Sequence, residues 1–226
     1  KKAMNKIRRP AVAGQFYDSE KQSLISSIKN CFLDNRGPGK IPEIKIGDKE
    51  ILGVVVPHAG FIFSGSIAAH SFKEITENGF ADTFIILGPN HTGLGSRVAI
   101  NSEGSWLTPL GEVKIDKDIS EKLRKGIIID DKSAHQHEHS IEVQLPFLQY
   151  LSETEFKFVP ISLGSQDIST SIKVGKIIAD TIKSSDKKFV IVASSDFSHV
   201  GFNYMSMPKE GMRVDKYAEF QDKKAI

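Results

Sequence analysis

The feature that most constrains the fold of this chain is a set of short apolar runs that each end in turn-forming residues and a histidine. The run at residues 84–87 is closed by Gly-Pro-Asn and His91. Two further runs behave alike, since residues 51–57 lead into His58 and residues 189–195 lead into His199. Short runs of bulky apolar residues bounded by turn formers are typical of strands buried on both faces of a sheet.

Helical patterns alternate with these strands. Residues 167–184, and a second stretch that ends at residue 77, place apolar side chains at helical spacing. Ser64 or Ser66 is expected to cap the second of these helices. The alternation predicts an α/β fold with a central mixed, mostly parallel sheet flanked by helices. The strand–helix–strand unit at residues 51–88 predicts that its two strands pair in parallel. A hairpin at residues 105–113 adds antiparallel pairing.

Several helix ends can be predicted from single residues. Asp18 and Asp116 are good N-cap residues, because a short carboxylate side chain accepts hydrogen bonds from the first backbone N–H groups of a helix. Pro146 interrupts the apolar helical pattern of residues 141–151 and predicts a kink or a restart there.

Charge and composition exclude several classes of function. The net charge is +2 with both signs mixed, so a nucleic-acid-binding surface is not expected. No run approaches the roughly 20 apolar residues of a membrane span, and the basic start lacks the apolar stretch of a secretory signal. The single cysteine, Cys31, flanks a helical apolar stripe. We expect a buried thiol, a reducing compartment and a cytoplasmic location.

The histidines that follow the buried strands are the strongest candidates for a functional site. In an open parallel sheet, ligands bind beyond the carboxyl ends of the strands. His58, His91 and His199 are therefore expected to share one rim. Neutral imidazole is a common ligand of iron, copper and zinc, and two histidines with one carboxylate and open positions describe a non-haem ferrous site.

A second cluster, His-Gln-His-Glu-His at residues 135–139, allows two interpretations. In an extended chain alternate side chains point the same way, so His135, His137 and His139 could face one zinc ion as in a hydrolase. Alternatively, the run is a polar loop of which one member, His139 or Glu138, reaches the pocket.

Five motifs occur in order along the chain. They are VVPHAGFIFSG, ILGPNHTG, WLTPLG, EHSIEVQLPFL and SSDFSH. Together they resemble the Memo family, and the similarity extends over nearly the whole chain from RRPAVAGQFY onward. That family is similar in fold to the class III extradiol ring-cleaving dioxygenases, the LigB-like enzymes. The resemblance implies a single Memo-like domain over residues 1–226 with a pocket at one end of the sheet.

The resemblance also implies roles for individual residues. His58 and His91 match the two histidine ligands of the metal, and His199 lies near the acid–base histidine. Asp196, Glu138 and His139 would line the same vestibule.

The family's third metal-facing residue is a cysteine in a C-terminal segment beyond residue 226. Cys31 does not match that position, so the resemblance implies that this chain lacks the segment.

Two functions follow from these expectations. The first is a metal-dependent activity of the dioxygenase or oxidase type, with iron or copper on His58 and His91, proton transfer by His199, and Asp196 or Glu138 orienting an imidazole. The second is a non-catalytic module that reuses the pocket to bind a peptide or another protein. The resemblance to microbial members of the family implies that such a module would be a component of a radical-SAM-associated modification system. The expected partners are a small molecule, a peptide or another protein, and neither nucleic acid nor membrane.

Overall fold

The structure, a computed structural model, describes residues 7–45, 50–208 and 210–225. The chain divides into two compact units, Lys1–Ser195 and Asp196–Ile226. The first unit holds the sheet, and the second holds a 3₁₀ turn at Phe202–Tyr204 and one helix. The single domain over residues 1–226, short of a C-terminal segment, stays a prediction.

The sheet has nine strands in the described part of the chain. They are β1 (Ile7–Arg8), β2 (Gly53–Val56), β3 (Thr83–Pro89), β4 (Val98–Ile100), β5 (Ser105–Thr108), β6 (Gly111–Ile115), β7 (Ile129–Asp130), β8 (Lys157–Leu163) and β9 (Phe189–Ser194). The order across the sheet is β1-β5-β6-β8-β3-β9-β2, with β4 pairing β7 and β8. The predicted hairpin around Trp106 is present as antiparallel β5 and β6.

The strands β2 and β3 run parallel but do not pair with each other. Both pair in parallel with β9, which lies between them. The prediction that the strand–helix–strand unit pairs its own two strands is therefore wrong. The reason is that β9 is itself an apolar strand, and a later strand of this kind can insert between two earlier ones without changing their direction.

The described residues form six helices, five in the first unit and one in the second. They are α1 (Lys21–Leu33), α2 (Ser66–Glu77), α3 (Lys117–Leu123), α4 (Leu145–Leu151), α5 (Ile168–Lys183) and α6 (Val214–Asp222). Asp116 caps α3 by accepting from the Ile119 N–H, which confirms the predicted cap. Pro146 stands in the first turn of α4, directly after a 3₁₀ turn at Glu142–Gln144, so the predicted restart is confirmed.

Two predicted caps are wrong. Helix α1 begins at Lys21 after Glu20, not after Asp18, because Tyr17 is held by a hydrogen bond to Glu142 and the chain turns into the helix later. Neither predicted serine caps α2, since a π-helical turn at Phe61–Gly65 runs directly into that helix.

The core explains why the central residues of β3 are all apolar. Phe84 and Ile86 contribute to a cluster with residues of α1, α2 and α4, whereas Ile85 contributes to a second cluster with residues of α3 and α5. Alternate side chains of a strand point to opposite faces, so helices cover both sides of the sheet. The predicted α/β class with a mainly parallel sheet is confirmed.

Within the described ranges, every helix is too short or too polar to cross a lipid bilayer.

Candidate metal centre

Three histidine side chains, those of His58, His91 and His139, meet in the first unit. Their candidate ligand atoms all lie within 4.8 Å of one another. The ring centroids of His91 and His139 are 4.5 Å apart and nearly stacked, and the His58 ring stands edge-on to both at 5.2 and 5.6 Å. Among residues 7–45, 50–208 and 210–225, this is the one group of three potential ligands that approach so closely.

The sheet brings two of these histidines together. His58 lies two residues after the end of β2, and His91 lies two residues after the end of β3. Both strands run parallel to β9, so their carboxyl ends open on the same edge of the sheet. The third histidine arrives from the loop that precedes the 3₁₀ turn at Glu142–Gln144.

Glu138 fixes two of the histidines. Its Oε1 accepts from Nδ1 of His91 at 3.0 Å and from the backbone N–H of His139 at 2.9 Å. Its Oε2 accepts from the backbone N–H of His91 at 2.5 Å. Burial would raise the pKa of the Glu138 carboxyl, but the hydrogen bonds from His91 and Ser140 lower it to about 2. The side chain is therefore a buried carboxylate that orients His91.

His58 is held by a residue of β9, the strand that pairs with β2. Its Nδ1 lies 3.0 Å from Oγ of Ser194, the last residue of β9. The Ser194 hydroxyl donates to the carbonyl oxygen of Ser140 at 2.6 Å and accepts from Nε2 of Gln144 at 3.0 Å. All four side chains are buried. The bond to the Ser140 carbonyl ties the end of β9 to the loop that carries His139.

The N-terminal segment closes one side of the cluster. The Phe16 ring lies 4.5 Å from the His139 ring. The segment is anchored on the buried Glu142 carboxylate, which accepts from Arg8, from the Ala11 and Val12 N–H groups and from the Tyr17 hydroxyl. Phe16 thus reaches the site through a hydrogen-bonded support.

The cluster is open on one side. His58 is 4 % exposed, whereas the side chains of His139 and His91 are 18 % and 45 % exposed. A ligand approaching from solvent therefore meets His91 first and His58 last.

The interpretation of His135, His137 and His139 as three ligands of one ion is wrong. His135 is fully buried beside Trp106, and its Nε2 bonds to the carbonyl oxygen of Ala99. His137 is exposed. The run is not extended, because a 3₁₀ turn at Lys132–Ala134 precedes it and hydrogen bonds to Glu138 fold it. Cys31 is buried, as expected, and it is not part of the histidine cluster.

The remaining predicted residues, Asp196 and His199, belong to the second unit. Nε2 of His199 lies 3.5 Å from Oδ2 of Asp196, and the His199 ring packs against Tyr204. The acid–base role assigned to this pair stays a prediction.

Three polar residues of the site were missed in the sequence. Ser140 donates to the carbonyl oxygen of Pro89, and Gln144 donates to that of Pro57 and to Ser194. Gln144 left a signal, since it is the one polar residue in the apolar stretch at residues 143–148, directly before α4 begins. Ser194 left none, because a serine at a strand end is common.

Comparisons with known proteins agree on one family. A family model described as Memo-like protein matches residues 8–226. A MEMO1 family protein of Methanopyrus kandleri is 50% identical over 194 residues, which cover 85% of this chain and 69% of that protein. One from Methanobrevibacter smithii is 49% identical over 197 residues, covering 85% and 70%. One from Methanococcus maripaludis is 44% identical over 221 residues, covering 95% and 78%.

Proposed function

Because the chain belongs to the Memo-like protein family, we propose that it binds one iron or copper ion through His58, His91 and His139 and uses it for redox chemistry of the oxygenase type. The observation that carries this proposal is the meeting of three imidazole ligand atoms within 4.8 Å. The family resemblance implies that His139 lines the vestibule, and the proposal assigns it instead as the third ligand.

The donor set suits a first-row transition metal. Imidazole nitrogen is a ligand that iron, copper and zinc all accept. At a metal–nitrogen distance of about 2.1 Å, two nitrogens on one ion lie roughly 3 to 4 Å apart, so the rings need to draw together by about 1 Å. The edge-on placement of His58 against the other two rings lets the three nitrogens approach one point from different directions.

Glu138 supports this assignment. A histidine ligand commonly donates its other ring N–H to a carboxylate, which fixes the ring and raises its basicity. Glu138 accepts from Nδ1 of His91, so the lone pair of His91 lies on Nε2. Its negative charge also offsets the charge of a bound cation.

His58, His91 and His139 would hold the ion, and an iron or copper ion bound there would supply one-electron redox chemistry to a substrate. The residues of the chain shape how that substrate enters. The exposed edge of His91 marks the entry side, and Phe16 gives an apolar wall next to His139. The proton-transfer role of His199, with Asp196 orienting it, remains part of this proposal.

Metal affinity of single variants tests the proposal. Protein purified without chelator is analysed for bound metal, and affinities for Fe²⁺, Cu²⁺ and Zn²⁺ are then measured by competition. Because even an outer-shell partner of a metal site is worth about 10- to 100-fold in affinity, replacing a ligand, as in His58→Ala, His91→Ala or His139→Ala, should cost at least about 100-fold.

His137→Ala is the matched control, since His137 lies in the same run as His139 but is exposed. Equal affinity in the His139→Ala and His137→Ala variants would overturn the assignment of His139. A strong preference for zinc, with no oxygen uptake across a panel of catechols, would overturn the redox part.

A second candidate function is a non-catalytic pocket that binds a peptide or protein. The observation that favours it is exposed apolar surface four and five residues after His58 in the chain, where Ile62 is 80% and Phe63 is 77% exposed. Such side chains suit the capture of an apolar or aromatic group. Metal binding without oxygen consumption, together with peptide binding that Phe63→Ser weakens, would favour this candidate over the enzyme.

A further inference from the structure

Ser194 occupies an unusual place beside the histidine cluster. Its hydroxyl lies within hydrogen-bond distance of three buried groups, the Ser140 carbonyl oxygen at 2.6 Å, Nε2 of Gln144 at 3.0 Å and Nδ1 of His58 at 3.0 Å. It is the terminal residue of β9, a strand that contributes none of the three histidines.

The direction of these hydrogen bonds follows from the chemistry of the groups. A carbonyl oxygen can only accept, and a hydroxyl has a single hydrogen to donate. The Ser194 hydrogen therefore goes to the Ser140 carbonyl. The hydroxyl oxygen must then accept from both Gln144 and His58, which requires the His58 proton to be on Nδ1.

The Gln144 amide reinforces this direction. Its Nε2 group has two hydrogens, of which one reaches the carbonyl oxygen of Pro57 at 3.1 Å and the other reaches Ser194. Pro57 directly precedes His58, so Gln144 holds both the backbone before the histidine and the acceptor of its ring N–H.

We propose that Ser194 is a positioning residue that holds His58 as the Nδ1–H tautomer and so directs the lone pair on Nε2 to the metal. This inference rests on the proposed metal site. Ser194 does for His58 what Glu138 does for His91, but with a neutral relay of a hydroxyl and a backbone carbonyl in place of a carboxylate. A residue at the end of β9 thus positions a ligand that follows β2.

His135 shows that the tautomer is set locally in this protein. Its Nε2 faces the Ala99 carbonyl oxygen, so its proton lies on Nε2, the opposite of His58. A histidine in that tautomer would present Nδ1 and not Nε2 as a ligand. The two buried histidines therefore predict two distinct nuclear magnetic resonance signatures in one sample.

The test is a long-range ¹H–¹⁵N correlation spectrum of metal-free, histidine-labelled protein at about pH 8, where an unperturbed imidazole is neutral. His58→Gln assigns the signal by its absence. We expect the Nδ1–H form in the wild type, a mixture or the Nε2–H form in Ser194→Ala, and recovery of Nδ1–H in Ser194→Thr. A wild-type His58 with its proton on Nε2 overturns the proposal, even if Ser194→Ala fails to fold.

Metal affinity gives the second readout. We expect Ser194→Ala to raise the dissociation constant about tenfold, as for other groups that orient a ligand, and Ser194→Thr to restore it. Ser162→Ala is the matched control, because Ser162 is also buried near a strand end but its hydroxyl has no hydrogen-bond partner among the described residues.

The two readouts separate the two proposals. An Nδ1–H His58 that depends on Ser194 supports the positioning role, whether or not the wild type binds metal. A wild type that does not bind metal overturns the proposed function alone. Retention of the Nδ1–H form in Ser194→Ala overturns the positioning role alone.

Discussion

At the scale of single residues, Glu138 has the greatest influence on the site. It is buried, and it accepts hydrogen bonds from the His91 ring and from the backbone N–H groups of His91, His139 and Ser140. One carboxylate therefore holds two histidines from separate parts of the chain. Because the hydrogen bonds keep its pKa near 2, it stays ionised at neutral pH.

Glu138→Gln should weaken both the metal site and the fold. The amide has one acceptor oxygen, and its NH₂ group would face at least one N–H donor that now has a carboxylate partner. We expect a loss of about 10- to 100-fold in metal affinity, since such partners of ligands are typically worth that much. A buried N–H group left unpaired should also lower the free energy of unfolding by about 1–3 kcal/mol, measured by urea denaturation.

Glu142→Gln is the matched control for that variant. Glu142 is equally buried and accepts as many hydrogen bonds, but none comes from a histidine. It should lose similar stability with a much smaller change in metal affinity. Equal losses of affinity in both variants would show that Glu138 acts only through the fold.

His135 makes the stability of the fold depend on pH. Burial, assisted by the nearby Arg8 charge, lowers the pKa of His135 to about 4. In the unfolded chain the same group titrates near its usual value of about 6.5, so as the pH falls the unfolded state takes up the proton first. The stability that the neutral imidazole contributes is present above about pH 6.5 and is lost toward about pH 4.

His135→Gln should remove that dependence. The amide can still donate to the Ala99 carbonyl oxygen but does not titrate in this range. Urea denaturation between these two pH values should show the wild type losing up to roughly 3 kcal/mol more than the variant. His137→Gln, from the exposed part of the same loop, should follow the wild type. Parallel curves for the wild type and His135→Gln would contradict the assignment.

At the scale of elements, the sequence was informative where the signal is local. The apolar runs that end in His58 and His91 identify buried strands from a few adjacent residues, and the carboxyl ends of parallel strands meet at one edge. His139 has no such signal. Its place depends on the bonds of Glu138 to a strand end 47 residues away, which no local pattern contains.

The segment EHSIEVQ shows the same limit from another side. Glu138 accepts from the His91 ring, and Glu142 accepts from the N-terminal segment. Ser140 donates to the carbonyl oxygen of Pro89, and Gln144 donates to that of Pro57, just after β2. In the sequence they are ordinary polar residues next to a helix. Only the assembled sheet distinguishes them from a solvated loop.

Gly88 of β3 lies against this segment. An added Cβ would lie 2.5 Å from Oγ of Ser140 and 2.9 Å from Cγ1 of Ile141, both of which are buried. Gly88→Ala should therefore destabilise the protein by about 1–3 kcal/mol through overpacking. Since His91 and His139 flank this contact, metal affinity should fall with it.

Gly175→Ala provides the contrast. Gly175 is exposed in α5, and an added Cβ would meet nothing within 4 Å. The same substitution should here raise the free energy of unfolding by about 0.5–1 kcal/mol, because alanine favours a helix over glycine. Thermal denaturation of both variants checks the pair. A neutral Gly88→Ala would mean that Ser140 can move away without cost.

At the scale of the whole molecule, the order of the strands decides which residues become neighbours. Because β9 lies between β2 and β3, its last residue, Ser194, stands beside the residue that ends β2 and reaches His58. If β2 and β3 paired directly, as their proximity in sequence suggested, Ser194 would lie elsewhere. His58 and His91 could thus be anticipated from strand ends, but His139 could not, and neither could Ser194, which orients His58.

The proposed function gives His199 a role in proton transfer and not in metal binding. The three proposed ligands are His58, His91 and His139. His199→Gln should therefore leave metal affinity within about twofold of the wild type, while His139→Gln should cost at least about 100-fold, since a ligand is worth more than the groups that orient it.

Activity separates the remaining roles of His199. If it moves protons, as the acid–base assignment predicts, His199→Gln should lower the rate of oxygen uptake with any catechol that the metal-loaded wild type consumes, by about 10²- to 10⁴-fold. Asp196→Asn should lower it less, because that residue acts on His199 across 3.5 Å and not on the substrate. A loss of metal affinity in His199→Gln comparable to that in His139→Gln would instead make His199 a ligand, and the three-histidine centre would then be the wrong donor set.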